Sequence, residues 1–312
     1  MAIHWYPGHM HKANKEIKEA LSRIDLIIEV LDARIPFSSQ NPLLSSLRGN
    51  KPCIKVLTKS DLADPDLTRQ WQTWLEQEQG VKTLPLTTEQ PERMRQLINL
   101  SRKMISSLPG KRQVFNTMIM GIPNVGKSSL INILAGKTIA KTGNEPAVTK
   151  AQQRINLGND FVLFDTPGVL WPKVENDASM YRLAISGAVK DTAFEYEDIA
   201  FFAAEYLLKA YPDTIMQRFK LENLPHNELE LIETIGRKRG CLRGGGRIDL
   251  DKASKILLTE LRAGKLGRIT LEAPGMIDKE LIELKLKEEL KEELKKEAGS
   301  KKSKKKKRQY HP

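Results

Sequence analysis

From residue 12 to about 170 the chain alternates two hydrophobic patterns. Apolar runs at IDLIIEVL (24–31), PCIKVL (52–57), VKTLPL (81–86), FNTMIMG (115–121) and FVLFD (161–165) are bounded by Gly, Pro, Asp or Asn. Such runs, rich in Ile, Val, Leu and Phe, predict buried strands. Between them, segments around 12–22, 66–79, 90–107 and 127–135 space their apolar residues as amphipathic helices do. The alternation implies an α/β fold, a mostly parallel sheet flanked by helices. From about 177 to 275 the strand pattern fades and helical periodicity dominates, for example at 197–210 and 251–263, with GCLRGGG (240–246) as a flexible interruption. The expected division is an α/β domain over 1–175, a smaller helical domain over 176–277, and a charged helix with a disordered lysine-rich tail over 278–312. Within 278–297, Leu281, Leu284, Leu290 and Leu294 recur at roughly helical spacing among charges, which suits either a docking helix or a solvated one.

Composition narrows the class. The 312 residues are 40% hydrophobic and 29% charged, enough apolar material for a core. Two cysteines build neither a disulfide framework nor a four-thiolate zinc site. Cys53 falls in a predicted strand as a core residue, whereas Cys241 beside the glycine loop is open to exposure. No apolar stretch approaches the length of a membrane span, and MAIHWYPGHMHKA lacks the layout of a signal peptide, so a cytoplasmic, membrane-free protein is expected. Net charge is +12, but Lys301, Lys302, Lys304 to Lys307 and Arg308 supply seven of the 51 basic residues. Removing them leaves 44 basic against 39 acidic residues, so the excess is largely a self-repelling tail. Such a tail suits a polyanion such as RNA, or serves as a solubilising end.

GIPNVGKSS, Gly121 to Ser129, follows an apolar strand and opens a helical run, the context that G-x-x-x-x-G-K-[ST] requires. Its backbone N–H groups, from Asn124, Val125, Gly126 and onward to Ser129, would face phosphate oxygens. Lys127 would reach the β- and γ-phosphates and Ser128 would offer its hydroxyl to Mg²⁺. Asp165-Thr166-Pro167-Gly168 closes another strand: the carboxylate suits the Mg²⁺ shell and the Gly168 N–H the γ-phosphate. Thr149, in GNEPAVTK, offers a hydroxyl that would close over Mg²⁺ and γ-phosphate. Thr58-Lys59-Ser60-Asp61 ends a third strand, where the Asp61 carboxylate can accept from both N1–H and the 2-amino group of guanine. Adenine offers no matching donors, so GTP is expected over ATP, with the Lys59 stem covering the base.

The base-reading element here precedes the phosphate loop, and DTPG comes last. That order implies a circularly permuted P-loop GTPase domain whose γ-phosphate-sensing loop leads straight into the helical domain. With WYPGHMHKA (5–13), LDARIPFSSQNP (31–42), TKSD, GIPNVGKSSLIN, GNEPAVTKAQQ, DTPGVLWP (165–172) and RGCLRGGGRIDLDKASKILLTELRAGKLGRITLE (239–272), the chain resembles the circularly permuted GTPases of the YlqF/YawG group. The match runs from about residue 4 to 275. It departs from the family's pattern at Thr58, where Asn is usual, at Ala147, where Gly is common, and at Leu86-Thr87-Thr88-Glu89, which stands for the segment that braces guanine.

The resemblance implies a GTP-hydrolysing assembly factor for the large ribosomal subunit that binds ribosomal RNA, switches with nucleotide state, and is a monomer off the ribosome. The alternative is a GTP-gated RNA-binding module in which hydrolysis is incidental. Val169 occupies the place where many GTPases carry a water-orienting Gln, so the catalytic group must come from elsewhere. The family implicates the histidine that maps onto His9, acting with Lys127 and Thr149; a structural plug over Trp5 to His11, or an H-x-H metal site, are the rival readings. Similarity to K⁺-stimulated GTPases gives Asn124 a second reading, as a K⁺ ligand against the phosphates. Arg237, Lys238, Arg239, Arg243 and Arg247 cluster around the glycine-rich loop and are the RNA-binding candidates.

Overall fold

The computed structural model describes residues 17–108, 110, 114–140, 153–158, 160–168, 174 and 176–308, with side chains through 291 except those of 43 and 44. Six strands form one sheet: β1 (Leu26–Asp32), β2 (Cys53–Thr58), β3 (Val81–Pro85), β4 (Phe115–Gly121), β5 (Gln153–Asn156) and β6 (Phe161–Asp165). Their order is β3-β2-β1-β4-β6-β5, parallel throughout except for β5, which pairs antiparallel with β6. The helices are α1 (Pro42–Arg48), α2 (Pro65–Leu75), α3 (Pro91–Ser106), α4 (Lys127–Ala135), α5 (Asp177–Ser186), α6 (Tyr196–Ala210), α7 (Pro212–Phe219), α8 (Glu228–Lys238), α9 (Leu250–Arg262) and α10 (Pro274–Arg308).

The period of two along each central strand divides the core between the two faces of the sheet. Leu26, Ile28 and Val30 of β1 join Ile54, Val56, Ile119 and Leu163 on one face. Ile27, Cys53, Met118 and Met120 meet Ile17, Leu21 and Val81 on the other. The first cluster continues without a break into Leu183, Ile199, Leu207, Leu231, Leu257 and Leu271, so the sheet and helices α5–α9 share one core. Met1–Glu272 is accordingly one compact unit, and Ala273–Pro312, which contains α10, is a second.

Local chemistry starts the helices where polar residues can cap them. The Asp64 carboxylate accepts from the N–H groups of Asp66 (2.8 Å) and Leu67 (3.1 Å), with Pro65 at the first helical position. Asn176, Asn227 and Asp249 cap α5, α8 and α9 in the same way.

Four features differ from the sequence expectations. The short edge strand β5 and helix α1 carry no recognisable run, being four and seven residues long. Cys241 is buried, because its N–H bonds back to Gly236 and its carbonyl accepts from Asp249 beneath the glycine loop. The tail is the fourth: α10 runs unbroken to Arg308, so the lysine run continues a helix instead of an extended coil. Lys and Glu are good helix formers, and the Glu-rich turns before the run supply the nucleus it lacks alone. Ile282, Leu286 and Leu290 on α10 are exposed. Among the described residues, no helix is long and apolar enough to cross a membrane.

Candidate nucleotide site

The sequence motifs converge at the carboxyl ends of β1, β2, β4 and β6, where parallel sheets bind ligands. Between β4 and α4 the loop turns through Asn124 (φ 61°) and Gly126 (φ 91°), both left-handed. Gly121 is required by close approach, since a Cβ there would lie 2.7 Å from the Val30 carbonyl oxygen. Gly168 faces the same loop, where a Cβ would come within 3.3 Å of the Pro123 nitrogen. Val125 is buried, while Ser128 and Ser129, in the first turn of α4, are both half-buried.

Lys127 is buried, and its ammonium donates to the Asp165 carboxylate and the Thr166 carbonyl. Burial pulls its pKa down and the Asp165 charge opposes that. Asp165 is fully buried. A buried carboxylate in contact with Lys127, the first residue of α4, is chemically suited to a hard dication. Among the described residues there is no cluster of three His, Cys, Asp or Glu side chains that could hold a metal on their own.

The turn Thr58–Asp61 packs directly on the loop between β4 and α4. The Thr58 hydroxyl lies against the carbonyls of Leu31 (2.8 Å) and Val125, and bonds to one of them at a time. Lys59, itself left-handed at φ 55°, donates to the Asn124 carbonyl (2.7 Å) and to Asp32 (2.8 Å). Asp61 is half-exposed beyond it. The Ser60 N–H reaches the Leu86 carbonyl at 3.3 Å, so Leu86–Glu89 does stand beside TKSD. Burial alone would raise the Asp32 carboxyl, but the Arg34 and Lys59 charges outweigh it and hold the group far below the usual carboxylate range. Arg34 binds both Asp32 oxygens, at 2.9 and 2.8 Å.

Sequence reasoning assigned no role to Asp32, Arg34, Arg262 or Glu272. The one available signal was DAR directly after a strand. Arg34 donates to the Arg262 carbonyl (3.2 Å), and the Asn124 amide donates to the Gly187 carbonyl (2.7 Å) at the end of α5. Segment 269–272 then laces the helices to the loops that follow β1 and β2. Ile269 N–H bonds the Leu62 carbonyl, Leu271 N–H the Arg34 carbonyl, and the Thr270 hydroxyl accepts from Asp64 N–H. Glu272 accepts from the N–H groups of Phe37 and Ser38 and from the Ser38 hydroxyl.

The five basic candidates do lie around the glycine loop, but most are engaged. Arg237 pairs with Glu233, Arg239 with Glu260, Arg243 with Asp249, and Lys238 donates to the Lys220 carbonyl. Arg247 has no ion-pair partner among the described residues. His9, Thr149 and Val169 lie outside the described residues.

Residues 116–237 match the family described as 50S ribosome-binding GTPase. The chain is 43% identical over 289 residues to a ribosome biogenesis GTPase A from Priestia megaterium, across 90% of this chain and 100% of that one. The chain belongs to the ribosome biogenesis GTPase A family. As a member it hydrolyses GTP. Two solved structures are similar in fold: GDP-bound YlqF (TM-score 0.61, 27% identity, 83% of this chain and 99% of that one) and GNP-bound YlqF from T. maritima (TM-score 0.60, 27% identity, 84% and 98%). Family membership thus joins the phosphate-loop geometry to GTP as substrate.

Proposed function

We propose that this GTPase is a cytoplasmic assembly factor for the large ribosomal subunit, monomeric off the ribosome, which binds ribosomal RNA and changes grip with nucleotide state. The observation that carries the reading is the direct packing of the base-reading turn on the phosphate loop, through Lys59 and the Asn124 carbonyl, in a chain whose relatives are named for ribosome biogenesis. The order of TKSD, phosphate loop and DTPG supports a circularly permuted domain over 1–175, followed by a helical RNA-binding domain over 176–277.

In this reading Asp61 accepts from guanine, the Lys59 stem covers the base, and the N–H groups of Asn124 to Ser129 cradle the phosphates with Lys127. Engaging the phosphates requires Lys127 to exchange its bonds to Asp165 and Thr166 for phosphate oxygens. Ser128, Thr149 and Asp165 would hold Mg²⁺, which neutralises charge between the β- and γ-phosphates when bound. Water attacks the γ-phosphorus in line as the bond to the β-phosphate oxygen breaks. We assign His9 to orienting that water, Thr149 and the Gly168 N–H to sensing the γ-phosphate, and Asn124 to a K⁺ beside it. Because Asn124 also holds Gly187, movement of the phosphate loop reaches α5 directly. Turnover by His9→Ala with GTP affinity measured in parallel tests the catalytic assignment: loss of stimulated hydrolysis with binding kept supports it, and equal loss of both contradicts it.

A further inference from the structure

Lys59 and Asn124 are both non-glycine residues in the left-handed region, and they are bonded to each other. Such conformations persist where the surroundings over-determine them. The surroundings here are a chain of charged groups leading away from the base-reading turn. The Lys59 ammonium takes Asp32 as its second acceptor; Arg34 grips both Asp32 oxygens; a third Arg34 N–H reaches the Arg262 carbonyl at the end of α9. Arg262 in turn donates to the carbonyls of Ile185 and Ala184, each at 2.9 Å, and pairs with Asp191 at 3.1 Å. Those carbonyls belong to the last turn of α5, which ends at Gly187, the acceptor of Asn124. The chain therefore closes into a ring: Lys59, Asp32, Arg34, Arg262, α5, Asn124 and back to Lys59.

We propose that Asp32, Arg34 and Arg262 are positioning residues for guanine nucleotide, holding the Lys59 side chain in its base-covering place and making helices α5 and α9 contributors to nucleotide affinity. None of the three needs to touch nucleotide; they act through Lys59 and Asn124. Arg34 and Asp32 are almost wholly buried and Asp32 is bound on both oxygens, so this segment of the ring is shielded from water and its geometry fixed. The inference rests on the reading of Thr58 to Asp61 as the base-reading element.

The test is titration of the full chain with fluorescent mant-GDP, with circular dichroism to check folding and steady-state GTP hydrolysis alongside. Arg34→Lys keeps the charge but lacks the fork that spans Asp32 and the Arg262 carbonyl. It is expected to raise the Kd for mant-GDP about tenfold, the size of one lost charge-assisted hydrogen bond. Its KM for GTP should rise in parallel, with kcat at saturation within about twofold, a split that general loosening would not give. Asp32→Asn should behave alike. Arg262→Ala should raise the Kd about threefold alone and add less than that to Arg34→Lys, as coupled sites do. Unchanged Kd values in folded Arg34→Lys and Arg262→Ala would overturn the proposal, as would fully additive effects. Asp61→Asn separates the two readings, because an amide there donates where guanine needs an acceptor and so favours xanthine nucleotides. If Asp61→Asn switches preference while the ring variants bind normally, the positioning role alone falls. If Asp61→Asn binds mant-GDP as tightly as wild type, the base-reading assignment falls.

Discussion

Replacing Glu272 by alanine tests how the helices are fastened to the sheet. Its carboxylate is fully buried and serves the Phe37 and Ser38 N–H groups, the Ser38 hydroxyl, and the Arg182 guanidinium at 3.6 Å. Truncation leaves two backbone donors without that acceptor and takes the carboxylate away from a buried Arg182. Removing one partner of a buried ion pair costs about 3–5 kcal/mol. For a unit of this size that corresponds to a fall of roughly 6–20 °C in the unfolding midpoint. Glu272→Gln keeps an oxygen for the backbone donors, so its cost should be less than about half of that. Burial pushes the Glu272 carboxyl pKa up, against the pull of Arg182, Ser38 and Phe37. A raised folded pKa contributes stability below the unfolded value, and the contribution is lost as pH rises through the folded one. The advantage of wild type over Glu272→Gln should therefore be larger at pH 4 than at pH 7. Thermal denaturation followed by circular dichroism at both values measures this. A loss below about 1 kcal/mol in Glu272→Ala, or an equal loss in Gln and Ala, would show that Glu272 does not fasten the helices to the sheet.

Three further outcomes are expected. Asp32 has the opposite sign to Glu272: its depressed pKa contributes stability above the unfolded value near 4 and loses it as pH falls further, so Asp32→Asn should flatten the acid limb of a denaturation series. Gly236→Ala should destabilise in urea titration by about 1 kcal/mol or more, because its Cβ would meet Ile248 Cγ2 at 2.5 Å and overpacking outweighs the gain in helix propensity. Arg247→Ala should weaken RNA binding across sequences and lower the salt slope by about one, whereas Arg237→Ala should do less because Glu233 already engages that side chain.

Much of this molecule is legible in its sequence because its strands are buried on both faces. FNTMIMG and FVLFD are strands at the predicted residues, and KSSLINILA is the predicted helix after the phosphate loop. The GIPNVGKS, TKSD and DTPG motifs were visible because each sets particular residue types at fixed spacing. The ring behind them was not. Asp32 and Arg34 are two apart in sequence, but Arg262 lies 228 residues beyond Arg34, and only the fold brings its carbonyl within reach. Glu272 gave no signal, since a lone Glu in the short stretch Leu271–Ala273 carries no motif and reads as solvated until Ser38 and Arg182 are seen around it. Edge strand β5 has one buried residue, Ile155, too few for a period to register.

The most direct test of the account is GTP turnover by the purified protein with and without purified large ribosomal subunits, in K⁺ buffer. Slow hydrolysis alone and strong stimulation by the particle are expected, the stimulation being reduced when Na⁺ replaces K⁺. Tight GTP binding with no stimulation by mature or immature subunits would contradict it and favour an RNA-binding module in which hydrolysis is incidental.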